Sequence, residues 1–259
     1  MPRQARKKSI SGMYHIILRG ANKQEIFHDD EDCMRFLETI LKCKNSSSTT
    51  IYAYCLMNNH AHLLLKEGNE ELSVTMKRIG VRFVQYYHWK YNTSGHLFQD
   101  RYKSESVETN LSLLRVVRYI HQNPVKAGMV AKVDEWKWSS CLEYYGRAIF
   151  PYELVDYNFI FEKISSDRAI ALESFKVFNE RVHNDHCLED EDNQQKRLSD
   201  DEARPYIKEL LGEIAIAQVK SLPREQRNLV LRQVKVIRGL SVRQAARILG
   251  ISPNLIYRA

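Results

Sequence analysis

The sequence predicts an α+β protein: an antiparallel sheet with helices packed on it, followed by an all-helical region. Three observations carry this. Short runs rich in Tyr, Ile, Thr and Leu alternate in the manner of strands. Between them, apolar residues recur three and four apart, as on one side of a helix. From about residue 200 only the helical spacing remains.

Met13 to Arg19 is the first strand, and Gly20 ends it. Asp29, Asp30 and Asp32 suit a helix start, because carboxylates cap free N–H groups and favour the positive end of the helix dipole. Cys33, Phe36, Leu37, Ile40 and Leu41 give that helix its apolar side, and Asn45-Ser46-Ser47-Ser48 stops it. Thr49–Leu56 is the second strand, Asn58-Asn59 a turn, and His60–Leu65 the third strand. A second helix spans Glu70 to Tyr91 with Leu72, Met76, Ile79, Phe83, Tyr86 and Tyr87 as its stripe; Lys77, Arg78 and Arg82 lie outside it. His96 to Glu108 alternates like a polar, basic strand. A third helix starts near Asn110 and is expected to stop at Pro124, which cannot continue a helix interior. Helices are expected over one face of the sheet.

Three parts are expected: a sheet domain over 1–147, a helical extension with an acidic linker over 148–199, and a basic helical region over 200–259. The linker is Glu189-Asp190-Glu191-Asp192 and its polar neighbours. The chain has 259 residues and a formal net charge of +7, which favours a polyanionic partner, nucleic acid before anionic membrane. No run of about 18 apolar residues occurs, so no membrane partner is expected. Five cysteines without a Cys-x-x-Cys argue against a zinc ribbon and a secreted disulfide framework, leaving the cytoplasm as the expected compartment.

The organising stretch is Met57-Asn58-Asn59-His60-Ala61-His62-Leu63-Leu64-Leu65. Alternation puts His60 and His62 on one face, roughly 6.5 Å apart, and Ala61, Leu63 and Leu65 on the other. Two imidazoles so spaced can converge on one divalent ion; the bland alternative is two half-buried histidines bonded to neighbours. On the third helix, Leu113, Val117 and Ile120 define the buried stripe. Tyr119 falls beside it, with Arg115 one turn before and Asn123 one turn after. A structural tyrosine is the competing interpretation, and Asn123 before Pro124 could be a helix stop.

His60-Ala61-His62 resembles the HUH motif, and Arg118-Tyr119-Ile120-His121-Gln122-Asn123-Pro124-Val125 resembles the nucleophile helix of single-tyrosine transposases. Gly12-Met13-Tyr14-His15 through Arg19-Gly20, Phe27-His28-Asp29-Asp30, Phe98-Gln99-Asp100-Arg101-Tyr102-Lys103-Ser104 and Trp138-Ser139-Ser140 resemble one branch, the REP-associated tyrosine transposases of bacteria. The likeness covers roughly residues 2 to 147. It implies a ferredoxin-like (RRM-like) HUH fold. It also implies Mg²⁺ or Mn²⁺ held by His60, His62 and Asn123, with Tyr119 as nucleophile, nicking and rejoining single-stranded DNA at hairpin-forming repeats through a 5′-phosphotyrosine. His121 and Gln122 are alternative ligands, disfavoured by helix spacing. Such an enzyme would sit on the nucleoid when bound to DNA, with monomer and homodimer both open.

Phosphate contacts are expected from the arm Arg3, Arg6, Lys7 and Lys8, from Arg19, from Arg101 and Lys103 with Tyr102 between them, and from Arg115. Phe98, Tyr102 and Trp138 could stack on unpaired bases. Leu240 to Arg258 looks like a helix-turn-helix: Ser241 caps, Gly250 turns, and Ser252-Pro253 begins a second helix of under two turns. Arg243 and Arg247 would face DNA there; a helical packing domain is the alternative. Two rival functions remain: a non-catalytic DNA-binding regulator derived from a transposase, and a metal-dependent nuclease whose nucleophile is water.

Overall fold

The computed structural model describes residues 8–147, 149–183, 187, 198, 200–237 and 239–259. Two compact units divide the chain, residues 1–188 and 189–259. The arm residues Arg3, Arg6 and Lys7 and the acidic stretch 189–192 lie outside the described residues.

The first unit is built on a four-stranded antiparallel sheet in the order β2-β3-β1-β4. β1 is Met13–Arg19, α1 Asp30–Ser47, β2 Thr50–Met57, β3 His60–Lys66, α2 Leu72–Tyr91 and β4 Lys103–Ser106. This is the βαββαβ arrangement of the ferredoxin-like fold. Asp29 starts α1 by accepting from the Asp32 N–H, and Asp32 in turn accepts from the His28 N–H at 2.8 Å. Gly20 has to be small. A Cβ there would collide with the Gln24 carbonyl and come within 2.9 Å of Ile26 Cγ2, while the Gly20 N–H bonds Asn59 O at 2.8 Å. That bond ties the end of β1 to the turn before His60.

Four sequence expectations are corrected. The strand expected over 96–108 shrinks to four residues. Leu97 and the adjacent Phe98 both turn inward, and Phe98 bridges opposite Gly20 through Gln99 N to Arg19 O and Ala21 N to Leu97 O; the regular strand resumes only at Lys103. The third helix, α3 (Asn110–Lys126), runs past Pro124. Proline omits a single N–H, and the turn still closes through Ala127 N to Asn123 O and Met129 N to Pro124 O, both 2.9 Å. The helices do not keep to one face: the rings of His15 and His62 meet Tyr119 of α3, so α3 covers the histidine face and the packed pair α1–α2 the other. Finally, the extension shares the core of the first unit. After α4 (Cys141–Tyr144), α5 (Tyr157–Glu162) and α6 (Arg168–Glu180) bury Ile160, Phe161, Ala171 and Phe175 against it.

The second unit holds α7 (Asp200–Leu211), α8 (Arg224–Lys235), α9 (Val242–Leu249) and α10 (Pro253–Arg258) around Ile207, Leu231, Val234, Leu249 and Ile256. Ser241 Oγ accepts from the Gln244 N–H at 3.2 Å, Gly250 turns in the left-handed region (φ 65°), and Ser252 Oγ accepts from the Asn254 N–H at 3.3 Å. Ala245 is buried where α9 meets α10. Arg243 and Arg247 are exposed on α9. No described helix is long and apolar enough to cross a membrane.

Candidate functional site

The site begins with strand register. Across β1 and β3, Ile17 faces His62 and Arg19 faces His60. Alternation therefore brings His15 to the same face as His62, one pair along. His15 Nε2 and His62 Nδ1 lie 3.1 Å apart, and the rings stack at 5.4 Å with 21° between planes. His60 and His62 are 4.9 Å apart, ring to ring, at 78°. The Tyr119 ring stands edge-on to both His15 (5.7 Å) and His62 (5.8 Å). Lys126 Nζ, one α-helical turn past Asn123 on the same helix, lies 4.7 Å from the centre of the Tyr119 ring.

The turn before β3 fixes His60. Asn58 O accepts from Ile26 N (2.8 Å) and Phe27 N (3.0 Å). Asn59 Nδ2 donates to Lys23 O at 3.2 Å, so its Oδ1 is the acceptor that His60 Nδ1 meets at 2.6 Å. A neutral His60 then carries its proton on Nδ1 and its lone pair on Nε2. For His62 the order within the imidazole pair decides: if His62 Nδ1–H donates to His15 Nε2, the lone pair of His62 also falls on Nε2. Burial holds all three rings neutral. His15 is pushed down to about 3. Burial, then the charges of Arg19 and Lys23, push His60 down to about 3, and burial, then His60, His15 and Arg19, push His62 well below the usual range.

Tyr119 is 2% exposed. The expected place beside the buried stripe is correct, yet the helix has no wet side there, because α6 covers its outer flank. Arg118 lies flat on Phe178, 4.0 Å from the ring centre. Gln122 Nε2 donates to Asn179 O (2.8 Å) and Arg181 O (2.9 Å). His121 Nδ1 meets Asn179 Oδ1 at 3.2 Å, and its Nε2 meets Ser140 Oγ at 2.8 Å. His121 and Gln122 thus grip the extension. Asn123 is 8% exposed; its Nδ2 donates to Tyr119 O at 3.1 Å, which leaves Oδ1 as the end able to bind a cation. Among the described residues, no three His, Cys, Asp or Glu side chains group as a cation cage.

Of the expected phosphate contacts, Lys8, Arg101 and Tyr102 share one groove with Glu67 and Glu71. Lys8 is already paired with Glu71 at 3.0 Å. Lys103 lies on β4 opposite Ile17, Arg19 at the end of β1 opposite His60, and Arg115 is exposed on α3 in a groove with Arg118 and Arg181. Sequence reasoning missed His15, Asn59 and Lys126. His15 shares parity with Arg19, and the β1–β3 register then puts both on the face of His60.

Residues 8–123 match the profile of the family described as "Transposase IS200 like". That likeness covers a little under half of the chain. The match contains both histidines, Tyr119 and Asn123. A REP-associated tyrosine transposase of Escherichia coli (strain K12) is 26% identical over 114 residues, 43% of this chain and 66% of the relative. A relative in Haemophilus influenzae is 26% identical over 110 residues, 38% of this chain and 61% of its own length. The chain thus spans a little under two thirds of either relative. A solved structure of a REP-associated tyrosine transposase bound to a REP hairpin aligns with a TM-score of 0.49 and 20% identity, over 61% of this chain and 93% of that one.

Proposed function

We propose that the chain is a metal-dependent transposase that nicks and rejoins single-stranded DNA through Tyr119. The observation that carries this is the meeting of Tyr119 with the histidine face: a phenol from α3 edge-on to His62, beside His60. The likeness of residues 8–123 to the IS200-like transposases supports a reaction on DNA strands.

His60 Nε2, His62 Nε2 and Asn123 Oδ1 would hold Mg²⁺ or Mn²⁺. The donor set fits, because neutral imidazoles with their lone pairs on Nε2 are metal ligands, and an amide oxygen suits a hard cation completed by water and phosphate oxygens. When bound, the ion supplies Lewis-acid polarisation of the scissile phosphate. Asn59 orients His60, and His15 orients His62, as outer partners do for metal-binding imidazoles. The Tyr119 oxygen forms a bond to phosphorus as the P–O3′ bond breaks. The phenol loses its proton and the departing 3′-oxygen gains one, leaving a 5′-phosphotyrosine and a 3′-hydroxyl. Bond energy is retained, so a second 3′-hydroxyl reverses the step and joins strands. Lys126 sets a positive charge beside the ring where negative charge gathers. Because Tyr119 is covered, substrate reaches the hydroxyl only when side chains at the mouth move aside.

Hairpin DNA with an unpaired 5′ flank is the proposed substrate, its phosphates drawn by Lys8, Arg19, Arg101, Lys103 and Arg115. In the second unit, Arg243 and Arg247 on α9 would add duplex contacts through a helix-turn-helix. The test is a denaturing gel after incubation with Mn²⁺. The parent should carry a DNA fragment covalently, and Tyr119→Phe, which keeps the ring, should carry none. Cleavage that persists in Tyr119→Phe means water is the nucleophile; binding with neither cleavage nor adduct means a non-catalytic regulator.

A further inference from the structure

The α1–α2 side of the first unit carries a groove that the histidine face does not use. Two columns of side chains border it. Arg35, Thr39 and Lys42 recur at helical spacing on α1, and Arg82, Tyr86 and Trp89 on α2. The space between is 830 Å³. Tyr86 is its buried floor, and Trp89 stands on the rim, 78% exposed. Three cations line the groove and no carboxylate does. Arg35 lies 5.2 Å from the Tyr86 ring centre and 3.4 Å from Glu38. Arg82 Nη1 reaches the Cys43 sulfur, at 3.9 Å.

One exposed tryptophan is ordinary on a protein surface. An exposed indole beside cations with little internal counter-charge, in an open groove, is a specific combination. Single-stranded nucleic acid complements both parts: a phosphate at every nucleotide and a base whose faces are open to stacking. A duplex keeps its bases stacked inside and offers Trp89 no face. An acidic peptide satisfies the cations but not the indole.

We propose that this groove binds a single nucleic-acid strand, with one base stacked on Trp89 and the flanking phosphates held by Arg82, Lys42 and Arg35. It lies on the sheet face opposite Tyr119, so it is a second contact, separate from the cleavage chemistry. It needs no divalent ion and does not rest on the phosphotyrosine mechanism.

The full-length protein is titrated in EDTA with an oligothymidylate of about ten nucleotides, a length one such site can cover, while tryptophan emission is followed. The chain has three tryptophans, so the signal is assigned with Trp89→Leu, which should lose the quench seen in the parent. Lys42→Gln combined with Arg82→Gln keeps the reporter; its quench midpoint should move to about tenfold higher oligonucleotide, with a salt slope lower by about 1.4. A closed hairpin duplex and polyglutamate serve as the other arms, and neither should give a Trp89-dependent quench. The proposal fails if Trp89→Leu quenches like the parent, if the double variant titrates like the parent, or if duplex or polyglutamate quenches Trp89 equally. An intact quench with no covalent adduct would sink the proposed chemistry alone, and the reverse pattern would sink this groove alone.

Discussion

Asp32→Asn should loosen the joint between α1 and α2 by about 3 kcal/mol at neutral pH. Asp32 is fully buried. Its Oδ2 accepts from the His28 N–H (2.8 Å) and the Tyr91 hydroxyl (2.6 Å), and its Oδ1 from the Tyr86 hydroxyl (3.0 Å) and Lys90 Nζ (2.9 Å). An amide keeps one of these two oxygens. With its nitrogen in place of Oδ2, the Tyr91 hydroxyl can rotate to accept, but the His28 N–H has nothing to bond; an orphaned buried donor costs about 1–3 kcal/mol. Lys90 also loses a buried counter-charge. Breaking such a pair outright costs about 3–5 kcal/mol, and here the loss is smaller because Asp29 (2.7 Å) and Glu31 (3.0 Å) still hold the ammonium. Burial alone would raise the Asp32 carboxyl, but donors from Tyr91, His28, Lys90 and Tyr86 outweigh it and hold the group below its ordinary value. A depressed carboxylate stabilises the fold above its unfolded pKa of about 3.9, and that contribution is lost as pH falls through the lower folded value. Urea denaturation of parent and variant at pH 7, then in steps down to the acid limit of folding, reads both effects. The gap should be widest at neutral pH and narrow only below about pH 4. A gap under about 1 kcal/mol at pH 7, or one constant through the acid range, would refute the assigned donors.

Other outcomes follow from the site and its supports. His15→Phe should weaken Mn²⁺ binding, measured by calorimetry, by about 10–100-fold, because the partner that sets the His62 tautomer is gone; unchanged affinity removes His15 from the site. Gln122→Leu leaves the Asn179 and Arg181 carbonyls without their donor and should cost about 2 kcal/mol in urea unfolding, with a loss near zero counting against the clamp. A fragment of residues 1–188 should form the Tyr119 adduct. One of residues 1–150 should fail to give a cooperative unfolding transition, since it lacks Phe161 and Phe175 from the core; a well-folded, active 1–150 would show the extension to be dispensable.

Much of this architecture is local and was therefore readable. Short runs rich in Tyr, Ile, Thr and Leu between turn residues located β1, β2 and β3. Aspartates before a three-and-four repeat located α1. What escaped was set by distant partners. His15 becomes part of the site only through the β1–β3 register, which no property of residues 13–19 encodes alone. Arg118 and Gln122 lie off the Leu113–Val117–Ile120 stripe on a helical wheel, and they are buried because α6, some 50 residues later in the sequence, lies against them. The alternation at 96–102 misled because Leu97 and Phe98, adjacent in sequence, both turn inward, and the backbone pairs with the end of β1 only around Phe98.

The grip of the extension on α3 limits how the reaction can move. A helix free on its outer side can swing and carry its nucleophile with it. Here a swing of α3 has to break both Gln122 bonds, the His121–Asn179 contact and the Arg118–Phe178 stack together. The amide hydrogens of residues 116–123 should then exchange only with global unfolding. In the proposed reaction Tyr119 would then be a fixed anvil: a strand end attached to it would stay where it was cut, and the partner end would have to travel to meet it.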